Sequence, residues 1–392
     1  MRNGWVKLRL GEAFKTATGG TPPKGDASFY GRFIPLVKPP ELCDGVLDSA
    51  EDGLSEAGAD VARLAPSNSI LVSCIGNLGK IGRNTVPVAF NQQINAILPN
   101  ERNAIPEFMF YQVLSDSFKN QLEALASGTT VPIVNKSKFN SIEIVLAPLP
   151  EQQRIVAILD KAFDGIATAK ANAEKNLQNA GALFESHLES VFTNQGGGWI
   201  KATLNEACIL RSGTSVNTGL EKPEGDFPYV KVADMNHAGN EREIVSSSRF
   251  LDRTDIGKNA VFPTGTTIFP KRGGSILTNK KRLTAVPICA DLNIMGVIPG
   301  DRLLAEYLYF YFLNVDMRKI GSGSSIPQIN NYDIEPLVIA FPVSKTVQAE
   351  VVVTLENLQG ETQRLESIYK QKLAALAELK KSLLHQAFSG AL

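Results

Sequence analysis

Two stretches of the chain carry apolar residues at alternating steps of four and three, almost without helix breakers. Between Glu151 and Phe192 glycine occurs only at 165 and 181, and proline is absent. A heptad seam runs there from Ile155 through Leu159, Ala162, Ile166, Ala169, Ala173, Asn176 and Ala180 to Leu183 and His187. A second seam starts at Val347, Val351, Thr354 and Leu358 and ends at Leu376, Leu379 and Leu383. Pro148 and Pro150 punctuate the start of the first stretch, and Ser344 offers an N-cap to the second. Each stretch predicts a helix of roughly 40 residues, about 60 Å long at a rise of about 1.5 Å per residue. Alanine dominates the first seam and leucine the second, so small residues facing large ones predict that the helices pack as one antiparallel coiled coil.

The rest of the chain reads differently. Apolar, β-branched runs bounded by glycine or proline at 69–75 and 265–269 predict short strands. Helices are expected at 105–125 and 303–319, where apolar and aromatic residues recur at helical spacing. These segments belong to an internal repeat. Trp5-Val6-Lys7 to Ala13 is echoed by Trp199-Ile200-Lys201 to Ala207, an offset of 194, and Pro148 matches Pro342 at the same offset. Between them, Ser127-Gly128-Thr129-Thr130-Val131-Pro132 parallels Gly323-Ser324-Ser325-Ile326-Pro327. The fold expected is α+β: two tandem, pseudo-symmetric mixed α/β domains at 1–147 and 199–342, separated by long helical regions at 148–198 and 343–392.

Composition narrows the function without naming it. The chain has 392 residues, 43% hydrophobic and 20% charged, an ordinary globular balance. With no long uncharged apolar stretch and no secretory pattern, the cytoplasm is the expected location. Cys43, Cys74, Cys208 and Cys289 are scattered singly, away from His187, His237 and His385, and are expected to be buried free thiols with no metal. Net charge is zero, and neither 1–147 (14 basic, 14 acidic) nor 199–342 (16 basic, 15 acidic) is strongly basic. Any affinity for nucleic acid must therefore come from local clusters or from a more basic partner.

Catalytic patterns fail one by one. Neither Pro-Pro pair, Pro22-Pro23 nor Pro39-Pro40, sits in the Asn/Asp-Pro-Pro-aromatic turn of an adenine methyltransferase. Gly76-Asn77-Leu78-Gly79-Lys80-Ile81-Gly82 lacks the hydroxyl residue after Gly-Lys that a phosphate loop needs, and reads as a turn between strands. Glu378-Leu379-Lys380 lies on the second helix, where alternating charge is expected. No cofactor is expected in this chain. Base reading instead needs Arg, Lys, Asn and Gln on loops or strand edges. The densest cluster is Lys271, Arg272, Asn279, Lys280, Lys281 and Arg282 around Gly273-Gly274, with Lys80 and Arg83 as its counterpart in the first copy. Gln92, Gln93, Gln328 and Asn330 are further candidates for adenine edges or phosphates. The hydroxyls of Thr129, Thr130, Ser324 and Ser325 are candidates for phosphate contacts that fix register.

The order globular unit, long helix, globular unit, long helix resembles the specificity subunits of type I restriction–modification enzymes. Leu146-Ala147-Pro148-Leu149-Pro150-Glu151-Gln152-Gln153-Arg154-Ile155 is similar to that family's entry into its first long helix. The loops at 127–132 and 321–330 resemble its loop near the end of each recognition domain, and Asn91-Gln92-Gln93 its asparagine–glutamine signature. The second copy departs with Asp291-Leu292-Asn293, and with Pro342-Val343-Ser344-Lys345-Thr346 before its helix. The resemblance implies a subunit with no catalytic centre, each domain reading half of a bipartite target in double-stranded DNA. It implies that the helices set the spacer and dock two modification subunits. Those would carry S-adenosylmethionine and methylate adenine after base flipping; restriction subunits would add ATP-driven translocation and cleavage. The alternatives are the specificity partner of a fused methylase–nuclease and a coiled-coil protein-assembly scaffold.

Overall fold

The computed structural model describes residues 4–128, 130–194, 196–320 and 327–392. The chain forms two compact units, Met1–Glu174 with Lys370–Leu392, and Lys175–Tyr369. In the first, a five-stranded sheet has the spatial order Thr16–Thr18, Ile94–Ile97, Ile70–Ser73, Ile81–Asn84, Gly45–Leu47. Neighbours are antiparallel except the last pair, which is parallel. A four-stranded sheet follows the order Gly53–Leu54, Tyr30–Val37, Val88–Phe90, Leu64–Ala65, and Val6–Arg9 pairs with Glu143–Leu146 as a separate ribbon. Strand Ile70–Ser73 is buried throughout because both its faces are covered. Ile70 and Val72 pack with Phe108 and Val113 of helix Pro106–Leu114, whereas Leu71 packs with Val88 and Phe90 of the other sheet. This is the two-residue alternation of a strand sandwiched between layers.

The second unit repeats this plan strand for strand. Its five-stranded sheet runs Cys208–Ser212, Ile294–Pro299, Thr267–Pro270, Arg282–Thr284, Glu243–Ile244, again with the last pair parallel. Its four-stranded sheet runs Phe250–Leu251, Phe227–Val230, Ile288–Ala290, Val261–Phe262, and its ribbon joins Trp199–Thr203 to Val338–Pro342. One glycine in each unit explains how the chain passes between sheets. The Gly19 and Gly20 amides donate to the carbonyls of Ile94 and Phe90, and those of Gly213 and Thr214 to Ile294 and Ala290. A Cβ on Gly19 would lie 2.1 Å from the Asn91 carbonyl oxygen, and one on Gly213 2.1 Å from that of Asp291. Only glycine allows this approach.

The two long helices are Leu149–Thr193 and Lys345–Ser389, 45 residues each. Each unit takes the start of one and the end of the other. In the first unit Ile155, Val156 and Leu159 share a core with Leu384 and Ala387. The Arg154 guanidinium donates to the Leu392 oxygen (2.8 Å), and Lys380 lies over the Phe163 ring, so the segments run antiparallel there. In the second unit Leu188 shares a core with Val352 and Leu355, and Phe192 meets Tyr307 and Tyr311 edge-on.

Several expectations need correction. Leu183 is 52% exposed, and Phe184 and Leu188 turn inward instead of Leu183 and His187. Likewise Gln348, Val352 and Leu355 are the buried positions, one residue beyond Val347, Val351 and Thr354; near the end of the helix Leu384 and Ala387 are buried, Leu383 packs half-buried against the same core, and Leu379 is exposed. The helix ends pack on globular domains, whose surfaces select a different stripe from that of a helix-to-helix seam. The helix expected over 105–125 is two, Pro106–Leu114 and Asp116–Ala124, because Ser115 adopts an extended conformation and caps the second. That expected over 303–319 ends at Asn314 and is followed by a 3₁₀ turn, Met317–Lys319. Cys43 is exposed, whereas the other three cysteines are buried. Among the described residues no helix is long and apolar enough to cross a membrane.

Candidate nucleic-acid interface

In each unit two loops that are distant in sequence leave the fold side by side. In the first, the Gly76 amide donates to the Pro132 carbonyl (3.0 Å) and the Val134 amide to that of Cys74 (2.8 Å). In the second, Gly273 donates to Pro327 (2.8 Å) and Ile329 to Lys271 (2.9 Å). These bonds join the turn after the central strand to the loop before the last short helix. The turn Gly76–Gly79 has both glycines at positive φ, as a tight strand connection requires. Its longer counterpart is the 3₁₀ segment Gly273–Thr278, closed by Asn279 in the left-handed conformation. Thr129, Ser324 and Ser325 lie outside the described residues; Thr130 is exposed on the first loop.

The basic cluster is divided by the fold. Lys281 is 2% exposed, and its ammonium donates to Asn279 Oδ1 and the Val315 carbonyl, both at 2.7 Å. Asn279 Oδ1 also accepts from the Met317 amide, so the pair ties the basic loop to the Met317–Lys319 turn. Burial pushes the Lys281 amine down to about 8. Lys271 is buried too, donating to Ser212 Oγ (2.6 Å), and burial lowers its pKa. Arg282 donates to the carbonyls of Asn240, Lys281 and Met235, and burial lowers its pKa as well. Lys280 reaches Asn236. Arg272 alone of the five cations is exposed, and among the described residues no acceptor meets it. In the first unit Arg83 is held by Asn68 and Glu107, at 2.8 and 2.9 Å, while Lys80 is half-buried on the turn.

The amide candidates form local turns. Asn91 Oδ1 accepts from the Gln93 amide and Asn91 Nδ2 donates to Gln93 Oε1, while Gln92 stays exposed. Asp291 and Asn293 reproduce that turn, so the departure of the second copy from the Asn-Gln pattern preserves its backbone role. Gln328 Nε2 donates to Asn330 Oδ1 (2.6 Å), and Asn330 donates to the Tyr332 hydroxyl. The same loops also expose apolar side chains, which a pattern of hydrogen-bonding residues does not include: Val131 is 46% and Ile133 40% exposed, and Leu277 63%.

A buried glutamine fastens each globular domain to its helix. Gln152, 0% exposed, accepts from the Ile105 amide (3.0 Å) and donates to the carbonyls of Asn103 (3.0 Å) and Ala147 (2.8 Å). Gln348, also 0% exposed, accepts from Leu304 (2.9 Å) and donates to Arg302 (2.9 Å) and Pro342 (2.8 Å). The equivalence of Ala147 with Pro342 corrects the sequence match of Pro148 with Pro342 by one residue. It also supplies the second helix with the glutamine that its altered entry concealed.

This doubled architecture has a family. The model of the type I restriction modification DNA specificity domain matches twice, over residues 2–178 and 197–375. The chain belongs to that family. Its relatives include the type I restriction enzyme HindI specificity subunit of Haemophilus influenzae, 34% identical over 41% of this chain and 36% of that protein. The MjaIX specificity subunit of Methanocaldococcus jannaschii is 22% identical over 88% of this chain and 84% of its own. A solved structure concerned with complex assembly and conformational transition of the type I R-M system has the same fold. It aligns with a TM-score of 0.83 at 22% identity, covering 100% of this chain and 99% of that one.

Proposed function

We propose that this specificity-family chain is the non-catalytic DNA-reading subunit of a type I restriction–modification complex. Residues 1–147 and 199–342 each read one half of a bipartite target in double-stranded DNA. The helical regions 148–198 and 343–392 set the unread spacer and dock two modification subunits, which transfer the methyl group; restriction subunits cleave. The complex works in the cytoplasm. The observation that carries this reading is the duplication itself: two domains of one topology present the same loop pair while differing in the residues on it.

Within each domain one set of groups makes the contacts and a second set holds the loops in place. Arg272, Lys280, Gln328 and Asn330 face DNA from the second domain, and Lys80, Gln92, Gln93, Thr129 and Thr130 from the first. Ser324 and Ser325 supply hydroxyls for phosphate contacts that fix register. Lys271, Asn279, Lys281, Arg282 and Arg83 stiffen the loops, so that reading costs little ordering entropy. Because the chain is neutral overall, its affinity depends on positive charge from the modification subunits. A gel-shift titration of the chain with and without co-expressed modification subunits tests this. Sequence-dependent binding in the complex, weakening steeply with salt as counterions are released, is expected. Equal binding to all duplexes by the complex would refute it.

A further inference from the structure

One position on the loop pair differs in chemistry between the two domains while its geometry is unchanged. Ile75 bridges Ile133 in the first domain, and Arg272 bridges Gln328 in the second, both antiparallel. The flanking amide-to-carbonyl bonds are the same in both: Gly76 to Pro132 and Val134 to Cys74, Gly273 to Pro327 and Ile329 to Lys271. The bridged residues are therefore a non-hydrogen-bonded pair, whose side chains lie close together on one side of the ribbon. The preceding residue points the other way. Cys74 and Lys271 are 2% and 8% exposed, whereas Ile133 is 40% exposed and Arg272 is open to solvent. Strand alternation thus aims each bridged pair outward. Folding does not account for an exposed isoleucine at the first bridge, nor for a guanidinium at the second that meets no acceptor among the described residues. Gln328 is steadied by its bond to Asn330.

We propose that these two bridged pairs are specificity determinants, with Arg272 and Gln328 reading a purine edge that includes guanine, and Ile75 and Ile133 reading a thymine methyl group. This assignment rests on the DNA-recognition reading above and deepens it. An arginine fork matches guanine O6 and N7, glutamine matches adenine N6 and N7, and the largest apolar group that the major groove offers to an apolar side chain is the thymine C5-methyl. The half-site read by the second domain therefore contains guanine, and that read by the first contains thymine.

The test uses the full chain assembled with its modification subunits. Methylation-aware sequencing of host DNA first defines the bipartite motif. Duplexes of that motif then carry 7-deazaguanine for guanine, which removes N7, or uracil for thymine, which removes the methyl. In the half-site that the Arg272→Ile, Gln328→Ile variant loses, 7-deazaguanine lowers the affinity of the unaltered complex about tenfold, and that of the variant hardly at all. In the half-site lost by Ile75→Ser, Ile133→Ser, uracil lowers it about three- to fivefold, and again the variant is indifferent. The base analogues act on the unaltered protein, so its loss of affinity is read whether or not the variants fold; the variants only assign each half-site to its domain. A bipartite motif whose affinity is unmoved by either analogue overturns the assignment but leaves the DNA reading standing. A complex that yields no sequence-dependent motif overturns both.

Discussion

Replacing Gln348 by methionine keeps the side chain's length and bulk but removes its amide. In the native fold that amide is 0% exposed and makes three hydrogen bonds, with the Leu304 amide and the carbonyls of Arg302 and Pro342. The stranded Leu304 amide costs on the order of 2 kcal/mol, and each carbonyl, which keeps a second lone pair, costs less. The expected destabilisation is about 3 kcal/mol, a large share of the roughly 5–15 kcal/mol that holds an ordinary domain together. Because the chain forms two units, a single unfolding curve mixes them. Native-state hydrogen exchange resolves the effect by site. Protection falls at Leu304 and through the first turns of Lys345–Ser389, while Ile105 and the first turns of Leu149–Thr193 keep theirs. Gln152→Met does the converse. Protection at Leu304 within about 0.5 kcal/mol of the unaltered chain would refute the argument, because a solvated or redundant glutamine loses nothing on this exchange.

Two further outcomes follow from the same structure. Gly19→Ala and Gly213→Ala force a methyl onto a backbone carbonyl 2.1 Å away and destabilise by about 3 kcal/mol or more, whereas Gly20→Ala, with nothing within 4 Å, changes stability by under about 1 kcal/mol; thermal unfolding ranks the three. Lys281 titrates near 8 in the fold against 10.5 for the free side chain, so between these values the unfolded chain binds more protons and stability rises with pH. Denaturant titrations at pH 7.5 and 9.5 show this rise, about 2 kcal/mol, in the unaltered chain and not in Lys281→Met, and equal slopes in both would remove the buried-amine account.

The elements legible in the sequence were those with a long or doubled signal. The two helices stood out because 40-odd residues at one period outweigh any local accident, and the duplication stood out where Trp5 and Trp199 begin matching segments. At the start of the first helix the seam positions Ile155 and Leu159 are the buried ones, but where Leu188 and Val352 turn inward the face is selected by tertiary contacts that a periodicity does not contain. The basic cluster was found as a composition, but its division was not. Whether Lys281 or Arg272 turns outward depends on strand alternation and on Asn279 and Val315 waiting inside the fold. Gln348 stayed hidden because its motif is reduced to one residue whose partners are backbone atoms. The Ile75–Ile133 pair was passed over because isoleucine in a strand-rich segment reads as core until its exposure is known.

The most direct measurement exchanges residues 199–342 for the matching segment of a family member with a different target and sequences the methylated sites that the complex then makes. Independent half-site reading predicts a bipartite motif in which one half takes the donor's sequence while the other half is unchanged. A motif altered in both halves, or altered in neither, would contradict it.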